Sequence, residues 1–328
     1  MGYWTGKRVL VTGGSGFVGR HLCEALADAG AARWAPTRQE INWLLPRKNI
    51  PLVMSLHFDV LFHLAARVGG IQANMANPAS FFRDNMLMGL NVLDACVEAR
   101  VEKLVMVGTC CAYPANLEPP FREDLLWNGY PEPTNAPYGV AKRALHTACV
   151  AYRQQYGLNA IYLIPANLYG PGDSFDPAKS HVIPALIRKF VEARIADQPE
   201  VEIWGDGSAT REFLYVGDCA RGLMQAAEMY NSPDPVNLGT RHEVAIAYLA
   251  QRIAEAAGYH GTMRFERGKP SGQRRRLLDI DKALREFGFL YRVQLGEGIK
   301  RTVEWYEENR DAIQAQDTRA EGESAPAA

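Results

Sequence analysis

The sequence predicts an α/β protein with a doubly wound parallel sheet and a smaller C-terminal lobe that binds the substrate. Short β-branched strands alternate with amphipathic helices up to about residue 165, which is typical of a parallel sheet covered on both faces. A glycine-rich turn follows the first strand and opens the first helix. Further along, Gly, Pro, Asp and Asn become frequent and the alternation stops, which indicates a second region.

Each element of the sheet domain follows from a local pattern. Arg8–Thr12 is an apolar, β-branched run typical of a buried parallel strand, and Phe17–Asp28 has its apolar residues at helical spacing. A weak strand signal at Ala32–Pro36 precedes Trp43–His57, where the pattern predicts nothing. The remaining predicted elements are strands at Asp59–Leu64, Lys103–Val107 and Ala160–Ile164, and helices at Pro78–Glu98 and Ala136–Tyr156.

The C-terminal half is predicted to be mixed. The expected elements are helices at Ile183–Ala193, Asp218–Met229, Val244–Ala257 and Leu295–Asn309, and a strand at Thr262–Glu266. We assign residues 1–166 and about 213–238 to the sheet domain, and about 167–212 and 239–312 to the lobe. The Ala, Glu, Ser and Pro content of residues 313–328 predicts a disordered tail.

The composition excludes several classes of protein. Lys and Arg total 36 against 37 for Asp and Glu, so the formal net charge of -1 gives no general attraction to nucleic acid or an anionic membrane. No apolar stretch approaches the ~20 residues of a membrane span, and we see no signal peptide. The 6 cysteines fit neither a zinc motif nor a disulfide framework, so we expect a protein of the reducing cytoplasm with no metal.

A dinucleotide site is predicted by the turn Gly13–Gly19, whose sequence is GGSGFVG. Gly13 permits the tight turn, Gly16 lets the backbone approach a pyrophosphate, and Gly19 allows close packing of helix on strand. The helix N-terminus directs free N–H groups and the positive end of its dipole at the anion. A strand before this turn and a helix after it are the context of a Rossmann fold.

The segment after the second strand favours NADP(H) over NAD. NAD sites usually hold the ribose 2′-hydroxyl with an Asp or Glu at this point, but here the first carboxylate is Glu40. The segment instead has Arg33 and Arg38, and a guanidinium can bind a 2′-phosphate through two parallel hydrogen bonds. The alternative is that both arginines are solvated loop residues.

A catalytic pair is predicted at Tyr138 and Lys142, which lie four residues apart on one helix face. A lysine ammonium near the phenol lowers the tyrosine pKa, so that the tyrosine can exchange a proton with a carbonyl or hydroxyl oxygen. Thr109, just after the fourth strand, supplies a hydroxyl that can bond the same oxygen. Together these residues predict oxidation or reduction at a carbonyl carbon.

These motifs resemble the extended short-chain dehydrogenase/reductase family and, within it, the GDP-L-fucose synthase family. The resemblance covers about residues 6–310. Its most specific segments are VGGI at 68–71 and SHVIPAL at 180–186, because all extended members share the cofactor motifs. The other matching segments are residues 63–67, 111–114, 135–138, 167–171, 211–214 and 269–279.

The resemblance implies conversion of GDP-4-keto-6-deoxy-D-mannose to GDP-L-fucose, by epimerisation at C3 and C5 and then reduction of the C4 ketone with NADPH. It makes Thr109, Tyr138 and Lys142 the reductase triad, and Cys111 and His181 the acid/base pair of epimerisation. The chemistry is consistent, because the ketone acidifies the C3 and C5 protons, and a thiolate and an imidazole titrate near the required range. The family commonly has Ser at the position of Thr109, so the hydroxyl is retained.

The resemblance also implies binding residues. For NADP(H) they are Gly13, Ser15, Gly16, Phe17, Val18, Gly19, Arg38, Ala65, Ala66, Tyr138, Lys142, Pro165, Asn167, Leu168 and His181. For the nucleotide-sugar substrate they are Asn167, Arg188, Trp204, Arg211 and Lys269. Members of the family pair into homodimers through two long helices, which here correspond to Asn85–Val97 and Pro137–Val150.

Three other functions are open at this point. A related enzyme could act on another nucleotide-bound 4-keto-deoxy sugar, because a fold does not fix its substrate. A C4 epimerase or dehydratase would hold NAD tightly, which the missing carboxylate after the second strand and the Cys111/His181 pair disfavour. A non-catalytic NADP-sensing protein would have no need of an intact Thr109, Tyr138 and Lys142.

Overall fold

The computed structural model describes residues 2–45, 50–177, 180–267 and 273–324. Within them, six parallel strands form one sheet in the spatial order β2-β1-β3-β4-β5-β9. These strands are β1 (Arg8–Thr12), β2 (Ala32–Trp34), β3 (Val60–His63), β4 (Lys103–Val107), β5 (Ala160–Pro165) and β9 (Val236–Leu238). The doubly wound parallel sheet predicted from the sequence is confirmed.

Helices cover both faces of this sheet. They are α1 (Phe17–Asp28), α2 (Ile50–Leu56), α3 (Ile71–Ala76), α4 (Pro78–Glu98), α5 (Ala136–Tyr156), α7 (Val216–Met229) and α9 (Asp281–Phe287). α4 packs on α5, and α1 packs on α7. Because both faces are covered, the strand residues Val9, Leu10, Val11 and Phe62 are fully buried. No helix in the described part of the chain is long and apolar enough to cross a membrane.

Most elements of the sheet domain have the bounds that the sequence predicts. This holds for β1, β4, α1 and α4, and α5 fills the segment in which a helix is predicted, whereas β2 and β3 are each shorter by two residues. α2 occupies part of Trp43–His57, the segment without a sequence-based prediction. The strand order reverses between β1 and β3, and parallel sheets bind ligands at the carboxyl ends of the strands beside such a reversal.

A second lobe has its own sheets and its own core. Its strands are β6 (Asn167–Tyr169), β7 (Glu200–Trp204), β8 (Thr210–Tyr215), β10 (Glu243–Ala245), β11 (Thr262–Glu266) and β12 (Arg275–Arg276). β8 pairs with β6, β10 and β12, while β7 pairs with β11. Its helices are α6 (Val182–Ile195), α8 (Ile246–Ala256) and α10 (Leu295–Ser324). Phe190, Ile253 and Tyr306 are buried in its core.

The predicted lobe, residues 167–212 and 239–312, is larger than the observed one. Leu278, Ile280 and Phe289 are buried in the core of the sheet domain, and α9 packs against α7 and β9. The chain therefore re-enters the sheet domain after β12. Sequence periodicity does not show this, because the apolar face of a short helix fits either core equally well.

Two C-terminal elements also differ from the prediction. The helix predicted at Val244–Ala257 starts only at Ile246, because the three preceding residues pair antiparallel with β8. α10 continues to Ser324, whereas the sequence predicts disorder over residues 313–328. The Ala, Glu, Gln and Arg content of this segment favours helix, which explains the extension. The last four residues lie outside the described part of the chain.

A buried carboxylate ties the lobe to the sheet domain. Glu212 on β8 is 1% exposed. Its carboxylate accepts backbone N–H bonds from Thr240, from Arg241 at 2.7 Å and from Leu278 at 2.8 Å. Burial raises the pKa of Glu212, against the opposing effect of these N–H donors. Since Thr240 follows β9 and Leu278 follows β12, one side chain fixes β8 against two segments of the sheet domain.

Replacing Glu212 by Ala is expected to destabilise the fold by about 3 kcal/mol or more, because three buried N–H groups lose a charged acceptor. Urea denaturation followed by circular dichroism measures the change. Glu255→Ala is the matched control, because Glu255 contacts Arg252 and Gln251 on the exposed face of α8. The control is expected to lose less than about 0.5 kcal/mol, and equal losses in the two variants would contradict the role of Glu212.

Candidate active site

The glycine turn after β1 has the close backbone approach that a dinucleotide site requires. Gly13 has φ +71°, a left-handed conformation that favours glycine, and a Cβ there would lie 2.7 Å from the Ala65 backbone nitrogen. A Cβ at Gly19 would collide with the Gly13 carbonyl oxygen. This geometry is consistent with the tight turn and the close helix packing predicted for these two glycines.

The N-terminus of α1 is open towards this turn. Gly16 is the N-cap residue and has no side chain to satisfy the first N–H groups, and the first helical turn has no acidic residue. Ser15 and Gly16 are exposed, while Phe17 and Val18 are partly buried. The free N–H groups and the positive helix end fit a pyrophosphate.

The ends of β1 and β3 are fixed to each other beside the turn. The Thr12 hydroxyl oxygen lies 2.8 Å from Nδ1 of His63 and accepts a bond from the Ala65 N–H at 3.1 Å. Burial lowers the pKa of His63 to about 3, and the charge of Lys142 adds to this effect, so His63 is neutral. Ala65 and Ala66 remain partly exposed at the edge of the crevice between the two strands.

The opposite side of the crevice is formed by the segment that follows β5. Pro165 ends β5 and is buried, whereas Leu168 on β6 is partly exposed. The next loop returns to α1, where Nε2 of His21 lies 2.8 Å from the Pro171 carbonyl oxygen. The cofactor residues predicted after β1, β3 and β5 therefore lie around one carboxyl edge of the sheet.

Two exposed arginines lie in and just after the second strand, in the segment that is predicted to bind the 2′-phosphate of the cofactor. Arg33 lies in β2 and Arg38 lies four residues beyond it, and both are exposed. The carboxylate of Glu40 turns back on Thr37 and accepts bonds from its N–H at 2.7 Å and its hydroxyl at 2.9 Å. The carboxylate closest to β2 in this segment is thus committed to its own loop. The segment presents cations, which suits a 2′-phosphate.

The start of α5 packs closely on the turn that follows β4. A Cβ at Gly139 would lie 2.5 Å from the Cys111 carbonyl oxygen, an approach that only glycine permits. Lys142 is 2% exposed. Its ammonium donates to the carbonyl of the last β4 residue at 2.9 Å. Nε of Arg143 donates to the Ala112 carbonyl at 3.0 Å. Successive residues of one helix thus hold both ends of the turn.

This contact brings the predicted triad together. The Thr109 hydroxyl is close enough to the Tyr138 hydroxyl to lower its pKa, and Oγ1 of Thr109 accepts a bond from the Cys111 N–H at 3.2 Å. Lys142 lies one helical turn from Tyr138 on the same face of α5. The Thr109 hydroxyl therefore contacts both the tyrosine and the turn that carries Cys111.

The pKa of Tyr138 moves in the direction opposite to the prediction. Burial raises it, the Cys111 and Cys110 sulfurs raise it further, and the Thr109 hydroxyl offsets only part of this. Burial also lowers the pKa of Lys142 to about 8. The sequence predicts that Lys142 lowers the pKa of Tyr138, and this prediction is wrong. The Lys142 ammonium is desolvated and donates to a β4 carbonyl instead. Tyr138 therefore starts as a neutral phenol.

Two adjacent cysteines and a buried arginine meet beside the triad. Cys110 and Cys111 occupy a 3₁₀ turn directly after Thr109. Nη1 of Arg276 lies 3.3 Å from the Cys111 sulfur and 3.9 Å from the Cys110 sulfur. The adjacent Cys110 thiol is the main cause that lowers the pKa of Cys111 well below its usual value, and Arg276 adds to this effect against that of burial. The proximity of Cys111 in turn raises the pKa of Cys110.

His181 lies at the N-cap of α6 and completes this cluster. It is close enough to Cys111 for each group to shift the pKa of the other. The side chain has solvent access at the mouth of the cleft. The protein around it nevertheless desolvates the ring and lowers its pKa, while the Cys111 charge opposes this. The structure thus brings Cys111, His181 and Tyr138, predicted from separate segments, into one cleft.

An arginine and an amide lie next to this cluster. Arg211 on β8 donates to the carbonyl of the preceding residue at 2.7 Å. Burial lowers the pKa of Arg211 to about 10, and Arg276 adds to this effect. Nδ2 of Asn167 on β6 donates to the Glu212 carbonyl at 2.8 Å, and its Oδ1 lies 3.9 Å from the Cys110 sulfur. Asn167 therefore links the lobe to the 3₁₀ turn that carries Cys110 and Cys111, called the catalytic turn below.

Two neighbouring cations of α6 point in different directions and have different partners. Arg188 donates to the Phe175 carbonyl at 3.1 Å. Lys189 instead donates to a β7 carbonyl at 2.9 Å, and its ammonium lies 5.7 Å from the ring centroid of Trp204. Lys189 is therefore the cation beside Trp204, and Arg188, which the sequence predicts as a substrate ligand, is held at the Phe175 carbonyl. Lys269, also predicted to bind the substrate, lies outside the described residues.

Sequence patterns did not identify Arg276 or Cys110 as members of this site. Arg276 is the last residue of a run of three arginines, of which the first two are exposed and the third is buried. Side chains alternate between the two faces of a strand, which would indicate one buried arginine in such a run. A strand of two residues is too short for this alternation to be recognised in the sequence. For Cys110, adjacency to Cys111 was the available signal.

Carbonyl chemistry beside a second acid/base pair defines the class of this site: a dinucleotide-dependent oxidoreductase that can also move protons at carbon. Residues 9–239 match the model of the NAD dependent epimerase/dehydratase family, so the chain belongs to this family. The GDP-L-fucose synthase of Escherichia coli (strain K12) is 38% identical over 315 residues, covering 93% of this chain and 98% of that protein. The GDP-L-colitose synthase of Yersinia pseudotuberculosis is 36% identical, covering 93% and 100%.

Solved structures show the same similarity over both the sheet domain and the lobe. A GDP-L-fucose synthetase from Naegleria fowleri bound to NADP has a TM-score of 0.86 at 30% identity, covering 93% of this chain and 94% of that chain. A GDP-6-OMe-4-keto-L-xylo-heptose reductase from C. jejuni has a TM-score of 0.87 at 28% identity, covering 93% and 98%.

Gly13→Ala is expected to weaken NADPH binding at least about tenfold, a loss of about 1.4 kcal/mol, because the new Cβ would displace the Ala65 backbone from the crevice. Gly157→Ala is the matched control. Gly157 has the same φ of +71° as Gly13 but nothing within 4 Å of its Cβ position. Both variants are expected to lose about 1–2 kcal/mol of stability from backbone strain. Fluorescence titration with NADPH separates them, and equal affinities would contradict the role of Gly13.

Proposed function

We propose that this chain converts GDP-4-keto-6-deoxy-D-mannose to GDP-L-fucose, by epimerising C3 and C5 and then reducing the C4 ketone with NADPH. The observation that carries the proposal is the convergence of the Thr109, Tyr138 and Lys142 set with Cys111 and His181 in one cleft. The extent of similarity to a GDP-L-fucose synthase, over 93% of the chain, supports the same conclusion.

Epimerisation requires a base and an acid on opposite faces of the sugar ring. The C4 ketone acidifies the protons on C3 and C5, and the Cys111 thiolate removes one of them. The enolate oxygen that forms accepts hydrogen bonds from Tyr138 and Thr109, which stabilises its developing charge. His181 delivers a proton to the opposite face of the carbon atom, and the centre is inverted.

Reduction uses the same pair of hydroxyls. When bound, NADPH supplies a hydride to C4. Tyr138, whose raised pKa keeps it a phenol, donates its proton to the ketone oxygen while Thr109 holds that oxygen in place. Lys142, one helical turn away, holds this part of α5 against the end of β4 through its bond to the Val107 carbonyl and so keeps Tyr138 in position. The N–H groups at the start of α1 hold the pyrophosphate of the cofactor, and Arg38 holds its 2′-phosphate.

The nucleotide diphosphate of the substrate needs cations near the cleft. Arg211, next to Arg276 and the catalytic turn, and Lys269 are the ligands we propose. Trp204 and Lys189 extend this surface along β7 and α6, and Trp204 is 45% exposed, so its ring can stack on a base. Asn167 orients the sugar at the boundary of the lobe.

We also propose a homodimer in the cytoplasm. α4 and α5 pack on each other and leave Phe82 and Leu87 of α4 and Tyr156 of α5 exposed. Apolar side chains on the outer faces of two paired helices support a two-fold interface of the kind that the family resemblance implies. The six cysteines are free thiols, which supports a reducing compartment.

The decisive experiment mixes the purified protein with NADPH and GDP-4-keto-6-deoxy-D-mannose. Loss of absorbance at the nicotinamide band is expected, with GDP-L-fucose identified by NMR. Cys111→Ser is expected to lower formation of GDP-L-fucose at least about 100-fold, because the general base is lost. The matched control, Cys149→Ser, replaces a thiol that is buried in the core on α5 and is expected to leave the rate unchanged.

Failure to oxidise NADPH with this substrate, while NADPH still binds, would contradict the fucose assignment. The search would then move to other nucleotide-bound 4-keto sugars, since relatives of this chain include a GDP-L-colitose synthase. Binding of NADPH without turnover of any such sugar would instead favour a sensing protein.

Arg38→Ala is expected to weaken NADPH binding about tenfold or more and to leave NADH binding unchanged, because one guanidinium that binds the 2′-phosphate is removed. Arg33→Ala is the matched comparison, since Arg33 is equally exposed in the same segment. The ratio of the dissociation constants for NADH and NADPH measures the preference of each variant for NADPH. An unchanged preference for NADPH in Arg38→Ala would contradict the assignment of this residue.

A further inference from the structure

Arg276 is a buried cation placed against the catalytic turn. It lies on β12, pairs with β8 through its backbone and is 7% exposed. Its Nη1 contacts the sulfurs of Cys111, at 3.3 Å, and Cys110, at 3.9 Å. Its Nε donates to the side-chain oxygen of Gln273 at 3.3 Å. The guanidinium thus meets two sulfurs and one neutral amide.

The charge of this guanidinium requires a compensating anion. Arginine stays protonated in proteins, and a buried charge without a counter-ion is strongly unfavourable. Among the described residues, no carboxylate lies within ion-pair distance of Arg276, whereas its neighbour Arg275 pairs with Glu243. The nearby Glu212 carboxylate is occupied by three backbone N–H groups. The sulfurs are the groups in contact that can become negative.

We propose that Arg276 is a positioning residue that holds Cys111 as a thiolate before the substrate arrives. Cys110, whose S–H donates to Oδ1 of Asn167 at 3.9 Å, remains the thiol, so the pair of cysteines carries one proton. On the proposed function, Cys111 then begins epimerisation already deprotonated. Arg276 need not touch the substrate to have this effect.

The other charged groups around the Cys111 sulfur do not replace this contact. Tyr138 on α5 is a neutral phenol, and His181 at the start of α6 acts on Cys111 only through its charge when protonated. Arg211 donates to main-chain carbonyls of β8 and of Arg274. Of the cations in the described part of the chain, Arg276 is the one in direct contact with the Cys111 sulfur.

The first test measures the ionisation of Cys111 in the unaltered protein. The rate of alkylation of Cys111 by iodoacetamide is followed against pH, and peptide mass spectrometry separates it from the other thiols. Cys111 is partly exposed in the cleft, whereas Cys110, Cys96, Cys149 and Cys219 are buried. We expect half-maximal reactivity well below the ordinary thiol pKa of about 8.5. A midpoint at the ordinary value would overturn the proposal without any variant.

The second test removes the cation. Arg276→Met is expected to raise the midpoint of Cys111 alkylation by about 1–3 pH units, the usual effect of losing an adjacent opposite charge. Arg276→Lys retains a cation and is expected to keep most of the lowering, which also covers the case in which Arg276→Met does not fold. Arg275→Met is the matched control, since that side chain pairs with Glu243 on the exposed side, and no shift is expected.

A competing role for Arg276 is binding of the substrate diphosphate. If Arg276→Met weakens GDP binding but leaves the Cys111 midpoint unchanged, the guanidinium serves the nucleotide and the proposal is wrong. The alkylation readout uses no sugar substrate, so it is independent of the proposed function. Exchange of the C3 and C5 protons with deuterated water links the two: Arg276→Met should move the pH profile of exchange upward by the same amount. Absence of exchange in the unaltered protein would count against the proposed function and leave the alkylation result intact.

Discussion

The active-site geometry depends on how closely the start of α5 packs on the turn after β4. Gly139 admits the Cys111 carbonyl, and Gly108 leaves room for the Tyr162 ring, whose hydroxyl donates to the Lys142 carbonyl at 2.7 Å. A side chain at Gly139 would separate the helix that carries Tyr138 from the turn that carries Cys111. Catalysis falls steeply when reacting groups are misplaced by about an ångström. Reduction and epimerisation therefore both depend on this contact between α5 and the turn after β4.

The sheet domain and the glycine turn are predictable from sequence because their signals are local. A β-branched run, a glycine spacing and a helical period each occupy fewer than about 22 residues, and tertiary contacts reinforce them. The Arg276–Cys111 contact has no such signal, since 165 residues separate the partners. The position of Lys189 beside Trp204 has no local signal either, because one residue is about 100° of helix rotation and only packing against β7 fixes which side chain of α6 faces that ring.

The overall charge of the chain is near zero, but the cleft around the turn after β4 is cationic. A net charge of -1 follows from 36 basic and 37 acidic residues, yet Arg211, Arg276 and Lys142 lie around one turn of chain. Most acidic partners are on the surface, as Glu243 is with Arg275. Buried cations that lack carboxylate partners attract anions, which suits the thiolate, enolate and diphosphate of the proposed reaction.

The same environment gives two weakly acidic groups opposite roles. Free cysteine and tyrosine titrate within about two units of each other, so residue type alone does not decide which acts as base. The contacts of Cys111 with Cys110 and Arg276 favour its anion, and that anion together with burial keeps Tyr138 protonated. Divergent environments of this kind assign base and acid within one site. Thr109 lies beside both groups, because its hydroxyl accepts a bond from the Cys111 N–H and lowers the pKa of Tyr138, and threonine keeps that hydroxyl as serine would.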